Sequence, residues 1–245
     1  MKLGVQLYNF RDALGTDFKA ALKEIAKLGF DGVEFTSNHG PFAPDELAAY
    51  LKELKLECAG TMFSADAIRN PGSEAYDYAR ALKSPAVTHS CMSPDFKAEY
   101  PTILKGIADS GAAAAQNGFV FSYHNHWREF TDIDGIPAME RILSETDPEK
   151  VFMEPDVCWI AKGGQDPVAF IRRYGKRIRQ IHIKDIADLS NYETTTELGK
   201  GVVDLPGVIA AAKEIGCLWL TYEQDYSADP FRSAEESLKY LRKIC

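Results

Sequence analysis

Short β-like runs alternate with helix-like runs eight times along 245 residues, and this alternation limits the possible folds more than any other feature. The runs that read as strands are Leu3–Tyr8, Gly32–Phe35, Leu56–Met62, Ala86–Met92, Phe119–Asn125, Val151–Asp156, Gln180–Lys184 and Leu218–Glu223. Each is followed by a helical pattern: Asp17–Leu28, Pro44–Leu54, Glu74–Leu82, a stretch inside Tyr100–Asn117, Ile136–Glu145, Pro167–Tyr174, Pro206–Ile215 and Ser233–Ile244. Strict strand–helix alternation implies a parallel sheet with right-handed crossovers. Eight such units in a chain of this length fit a closed (β/α)8 TIM barrel, with residues 1–245 as a single domain. No GxGxxG follows the first strand and no GxxxxGK[ST] occurs, so the open nucleotide-binding sheets lose their main support. No Gly/Ser linker or low-complexity stretch divides the chain.

Charge and cysteine usage narrow the function classes. Lys and Arg number 28 against 36 Asp and Glu, a net charge of −8, which argues against a nucleic-acid partner. The start, MKLGVQLYNFRD, lacks the long apolar core of a signal peptide. No run of about 18 apolar residues exists, so no membrane span is expected. The five cysteines, Cys58, Cys91, Cys158, Cys217 and Cys245, form no CxxC pair. Free thiols in a cytoplasmic protein are the expectation. A homodimer is compatible with the sequence and not specified by it.

In a barrel of this kind the active site lies at the C-terminal ends of the strands. The expected strand ends carry Gln6 and Tyr8, Glu34, Thr61 and Met62, His89 and Cys91, His124-Asn125-His126, Glu154-Pro155-Asp156, His182-Ile183-Lys184-Asp185 and Glu223-Gln224-Asp225. Side chains at i and i+2 share a face of a strand, so His124 with His126, Glu154 with Asp156, and His182 with Lys184 are expected to project together. Buried His, Asp and Glu need partners or a metal. Imidazoles with carboxylates are a ligand set for one divalent ion: Mn, Mg, Co, Zn or Fe. The simpler alternatives are a hydrogen-bonded polar network for the cluster, and a structural or surface role for His39 and His89.

Several segments, in order, resemble the xylose isomerase-like TIM-barrel superfamily, in its sugar phosphate isomerase/epimerase branch. They are GVQLYNFRD, GFDGVEF, YHNHWREF, FMEPDVCW, IHIKD, ELGKGVVDLP and TYEQD. The resemblance implies one divalent metal held by His124, Asp156, His182 and Glu223. Ketose 3-epimerases of the superfamily have Glu at the first of these positions, and this chain has His. A neutral imidazole still ligates. The two-carboxylate proton shuttle of those epimerases, however, lacks one carboxylate here. Glu154 either supplies it or orients His124.

The implied activity is a metal-dependent isomerase or epimerase acting on a sugar or keto-sugar through an enediolate. Glu223 and Glu154 are the candidate bases, with Glu154 or His126 taking the step if Glu223 is committed to the metal. Lys184 would neutralise the enediolate oxygen or bind a substrate hydroxyl or acid group. Gln6, Glu34, His126, Trp159 and Asp185 are the expected substrate contacts. The same enediolate can instead expel a β-substituent, which makes a dehydratase or lyase on a keto-inositol or 3-keto-glycoside the main alternative. A non-catalytic sugar-binding barrel is a lesser one, and the DNA-repair endonucleases that share the fold use more His and acidic ligands than this chain has. No clear phosphate-binding signature appears; Gly199 and Gly201 are the one stretch that could cradle a phosphate, and a tight loop explains them as well.

Overall fold

The computed structural model describes residues 1–245. Eight strands form one parallel sheet: β1 (Lys2–Gln6), β2 (Gly32–Phe35), β3 (Glu57–Met62), β4 (Val87–Ser90), β5 (Phe121–His124), β6 (Val151–Glu154), β7 (Gln180–Ile183) and β8 (Trp219–Tyr222). The sheet order is β6-β5-β4-β3-β2-β1-β8-β7. It curls so that β6 and β7 meet through the bridges Met153–Ile178 and Asp156–His182. The His182 amide donates to Pro155 O at 2.9 Å across this seam. The result is the single (β/α)8 barrel that the alternation requires.

The eight outer helices are α1 (Phe18–Leu28), α2 (Pro44–Leu54), α3 (Glu74–Ala81), α4 (Phe96–Gln116), α5 (Ala138–Glu145), α6 (Pro167–Tyr174), α7 (Leu205–Glu214) and α8 (Pro230–Ile244). Their boundaries follow local chemistry. Asp17 caps α1 by accepting from the Ala20 amide at 3.0 Å, and Gly29, at φ 92°, ends it in the left-handed region. Asp166 caps α6, which starts on Pro167.

Strands one and six stop earlier than the sequence suggests. After Gln6 the chain turns into a 3-10 segment, Leu7–Phe10, and a helix, Arg11–Thr16; after Glu154 it enters a helix at Val157–Lys162. A further short helix spans Ala65–Arg69. Such helices are too short to show an apolar period.

Alternation along the strands separates two layers. In β7, Ile181 and Ile183 join the apolar layer beneath the helices, while Gln180 and His182 turn into the barrel. The lumen is therefore polar at the level where it meets the open end. Met153, Trp159 and Tyr222 belong to the buried mass around it. No helix is long and apolar enough to cross a membrane. All five cysteines are free.

Candidate metal centre

Four donors meet at the C-terminal end of the barrel. His124 ends β5, Asp156 follows β6, His182 lies in β7 and Glu223 follows β8. Each offers a ligand atom within 4.8 Å of the others, and all four are buried. Asp156 is held rigid because its Oδ1 caps the next helix, accepting from the Cys158 and Trp159 amides at 2.9 and 3.1 Å. The His182 ring is pinned from both sides: Nδ1 lies 2.9 Å from Glu223 Oε2, and Nε2 lies 2.5 Å from Glu34 Oε2. Two imidazoles and two carboxylates at this separation fit a borderline divalent ion.

Lys184 completes the electrostatics. Its ammonium is 1% exposed and lies 3.0 Å from Asp156 Oδ2, 3.0 Å from Glu223 Oε2 and 2.7 Å from Asp225 Oδ2. Its chain passes over the Trp159 ring, with Nζ 4.6 Å from the centroid. Burial disfavours its charge, but Asp156, Asp225 and Glu223 together push its pKa well above the usual lysine value. Burial alone would raise the Glu223 pKa too, yet Lys184 and His182 hold it well below the ordinary carboxylate range. Asp156 goes the other way: burial, opposed by Lys184, lifts it to about 6. Burial also lowers His126 to about 4 and His124 well below its normal value, so both rings are neutral near pH 7. Burial opposes the charging of His182, but Glu154 and Glu34 raise its pKa well above normal.

A second buried layer lies beneath the donors. Glu34 accepts from Gln180 Nε2 at 3.1 Å as well as facing His182. Glu154 also accepts from Gln180, and its Oε2 lies 3.7 Å from His124 Nδ1. Gly60 makes room for this layer: a Cβ there would come within 2.5 Å of Glu34 Oε1 and 2.6 Å of Gln180 Nε2. The carboxylates thus support the two histidines from behind.

A cavity of about 530 Å³ opens beside the donors; His124 and Glu223 reach its wall, and Asp156 and His182 lie behind them. His124, His126, Glu223, Gln6 and Trp159 line it, together with Tyr8, Arg11, His89, Trp127, Asp225, Tyr192 and Tyr226. The profile of the xylose isomerase-like TIM barrel family matches residues 22–244. The chain belongs to that family. An inosose dehydratase of Mesomycoplasma hyopneumoniae is 29% identical over 276 residues, covering 94% of this chain and 90% of its own. A sugar phosphate isomerase/epimerase from Parabacteroides distasonis shares the fold at a TM-score of 0.81 and 23% identity, over 98% of this chain and 93% of that one. The IOLI protein, solved with a bound zinc atom, shares it at a TM-score of 0.78 and 15% identity, over 100% and 98%. The curated relatives it matches are inosose dehydratases, and the solved structures that share its fold include a sugar phosphate isomerase/epimerase.

Not every expected site residue reaches the cavity. Glu34 is fully buried below His182, and Glu154 below His124, so neither stands on the cavity wall as a substrate contact or base. Asp185 also departs from expectation as a substrate contact. Its carboxylate accepts from the Ile186, Gly199, Gly201 and Val203 amides at 2.9 to 3.1 Å and is fully buried. That bond pattern fills the glycine stretch that could have held a phosphate. Lys184 lies behind the wall, among the carboxylates. Gln6, His126 and Trp159 do line the cavity, and so does His89, which the sequence suggested was structural or surface. Arg11, Trp127, Tyr192 and Tyr226 were missed. Trp127 alone carried a signal, as the neighbour of His126.

Proposed function

We propose that this protein is a divalent-metal-dependent lyase that eliminates a β-substituent, as water or an alcohol, from a polyhydroxylated ring ketone, a keto-inositol or a 3-keto-glycoside. The observation that carries the reading is the donor set His124, Asp156, His182 and Glu223, of which His124 and Glu223 reach the wall of the cavity. The likeness to inosose dehydratases across 94% of the chain supports elimination as the outcome, and the zinc-bound IOLI neighbour supports a metal. When bound by these four residues, a divalent ion supplies Lewis-acid stabilisation of the negative charge that develops on the ketone oxygen.

The remaining work falls to the chain's own groups. His126 is neutral, faces the cavity and is not among the four donors, so its free nitrogen can take the proton α to the carbonyl. The same ring, now protonated, can return that proton to the departing β-oxygen. The C–H and β-C–O bonds break, a C=C bond forms, and water leaves, or the glycosidic alcohol where the β-oxygen carries a second ring. Lys184 keeps Glu223 and Asp156 ionised. Glu34 and Glu154 fix the histidine orientations.

Elimination suits this wall better than epimerisation does. Epimerisation needs a proton donor and acceptor on opposite faces of the enediolate. The wall carries two carboxylates, Glu223 and Asp225, and Asp225 is tied to Lys184 at 2.7 Å. A sugar isomerase or epimerase is the second reading, favoured by that same Asp225, because release from Lys184 would give the second face its acid. The test is product mass after incubation of keto-inositols and 3-keto-sugars with the Mn-, Co-, Zn- or Mg-loaded protein in D2O. Loss of one water, or of the glycosidic alcohol, supports the lyase. Deuterium uptake at unchanged composition supports the second reading. Neither change across the panel refutes both.

A further inference from the structure

We infer that the preferred substrate is an uncharged two-ring molecule, its keto ring placed at the four donors and its second ring laid along an aromatic strip at the cavity mouth. This inference rests on the ring-ketone reading above and narrows it. Two independent observations carry it.

The first is the shape of the wall. A chain of aromatic side chains runs outward from the donors. His126 faces Trp159 at 6.2 Å, Trp159 meets Trp127 at 5.0 Å, Trp127 stacks on Tyr192 at 5.4 Å and 16°, and Tyr192 leads to Tyr226 at 6.1 Å. All five line the cavity. Tyr192 and Tyr226 are each 41% exposed, and Tyr8 and Met92, which also line the cavity, are 42% and 68% exposed. Large apolar side chains gathered in the open at the rim of a cavity mark a binding surface. The apolar face of a sugar or aryl ring is the partner such side chains fit. The volume agrees. If one water takes about 30 Å³, a ring ketone of twelve heavy atoms displaces on the order of five or six waters, or about 150–180 Å³. That is roughly a third of the 530 Å³ available.

The second observation is charge. Barrels of this kind commonly hold a phosphate in the loops after strands seven and eight. Here the amides of Gly199, Gly201 and Val203 in that region are bound to Asp185. The cavity wall has one cationic side chain, Arg11, and it is fixed at the mouth. Its Nη1 and Nη2 donate to Tyr8 O and Asp225 O, both at 3.0 Å, and its guanidinium lies 4.4 Å from the centre of the Tyr8 ring. Lys184 is enclosed by three carboxylates. Nothing in this arrangement is set to receive a phosphate or a carboxylate, whereas a neutral second ring meets the aromatic strip directly.

The test is quenching of tryptophan fluorescence in the metal-loaded protein, since Trp127 and Trp159 lie in the strip. Five probes are compared: 2-keto-myo-inositol, phenyl 3-keto-β-glucoside, 3-keto-cellobiose, fructose 6-phosphate and fructose. The expected result is that at least one two-ring ketone binds about tenfold or more tightly than the single ring, with no gain from phosphate. The phenyl and cellobiose arms separate an aryl from a sugar second ring. In Tyr192→Ala the ratio of two-ring to one-ring affinity falls toward one, and in Tyr192→Phe, which keeps the stacking face, it is retained. Equal affinity for one-ring and two-ring ketones in the wild type overturns the inference, as does tighter binding of the phosphate. The lyase reading fails separately, when ring ketones bind but lose neither water nor, from the 3-keto-glycosides, the glycosidic alcohol or phenol, and exchange no deuterium.

Discussion

Replacing Lys184 with Met tests the electrostatic construction of the centre. In the wild type the ammonium touches three carboxylates at 2.7 to 3.0 Å, and Asp156, Glu223 and Lys184 are all buried. Methionine keeps most of the side-chain volume, so the change isolates charge from packing. Without metal, the mutant must hold three neighbouring carboxylates with no cation between them. Breaking a buried ion network from one side costs about 3–5 kcal/mol. For a chain of this size that lowers Tm by roughly 6–20 °C. A bound divalent ion restores positive charge among the same oxygens, and it no longer competes with an ammonium for them. At a thousand times its Kd it contributes about 4 kcal/mol, so most of the loss should be recovered. The assay is calorimetric melting of both proteins in EDTA and in saturating Mn²⁺, with metal affinity from titration. The mutant should melt well below wild type in EDTA, gain more from Mn²⁺, and bind it about tenfold or more tightly. An EDTA-treated mutant that melts with the wild type, or an equal gain from metal in the two proteins, would refute the reasoning.

Three further outcomes follow from the same geometry. Elemental analysis should find about one divalent ion per chain in the wild type and none in the Asp156→Ala/His182→Ala double mutant, which has lost two of four donors. Glu34→Ala should weaken metal affinity about 10–100-fold by releasing the His182 ring, while Glu34→Gln, whose amide oxygen still accepts from Nε2, should recover much of it. Equal losses in the two variants would show that Glu34 acts by packing alone. Metal affinity should fall with pH: Asp156 must be deprotonated to ligate and its pKa is raised to about 6, so below pH 6 each unit should weaken binding about tenfold from this group alone. The sign for folding is opposite. A carboxyl whose folded pKa lies above its unfolded value of about 3.9 favours the fold at low pH. In EDTA, Asp156 therefore contributes least to stability above pH 6, and a metal titration flat from pH 7 to pH 5 would refute its assignment as a ligand.

The strand–helix rhythm determined the barrel, because each element's apolar period is a local property and eight βα units close in only one common way. Strand Gly32–Phe35 and helices Pro44–Leu54 and Pro167–Tyr174 were legible to the residue, bounded by Gly and Pro. The polar strand ends marked the open face, and the resemblance to the family singled out the four residues whose ligand atoms the fold brings within 4.8 Å. What the sequence left open was direction and partnership. Glu34, Glu154 and Asp185 look like Glu223 in one dimension, each an acid near a strand end. Whether such an acid faces the cavity depends on one step of strand register and on partners far along the chain. His182 lies 148 residues from Glu34, and the Gly201 amide 16 residues from Asp185. The aromatic strip was hidden for the same reason. Tyr192 and Trp127 come from loops after different strands, and only closure of the barrel stacks one ring on the other. Periodicity along a chain records which side of an element is apolar, whereas the pairing of polar groups across a closed lumen belongs to the tertiary structure alone.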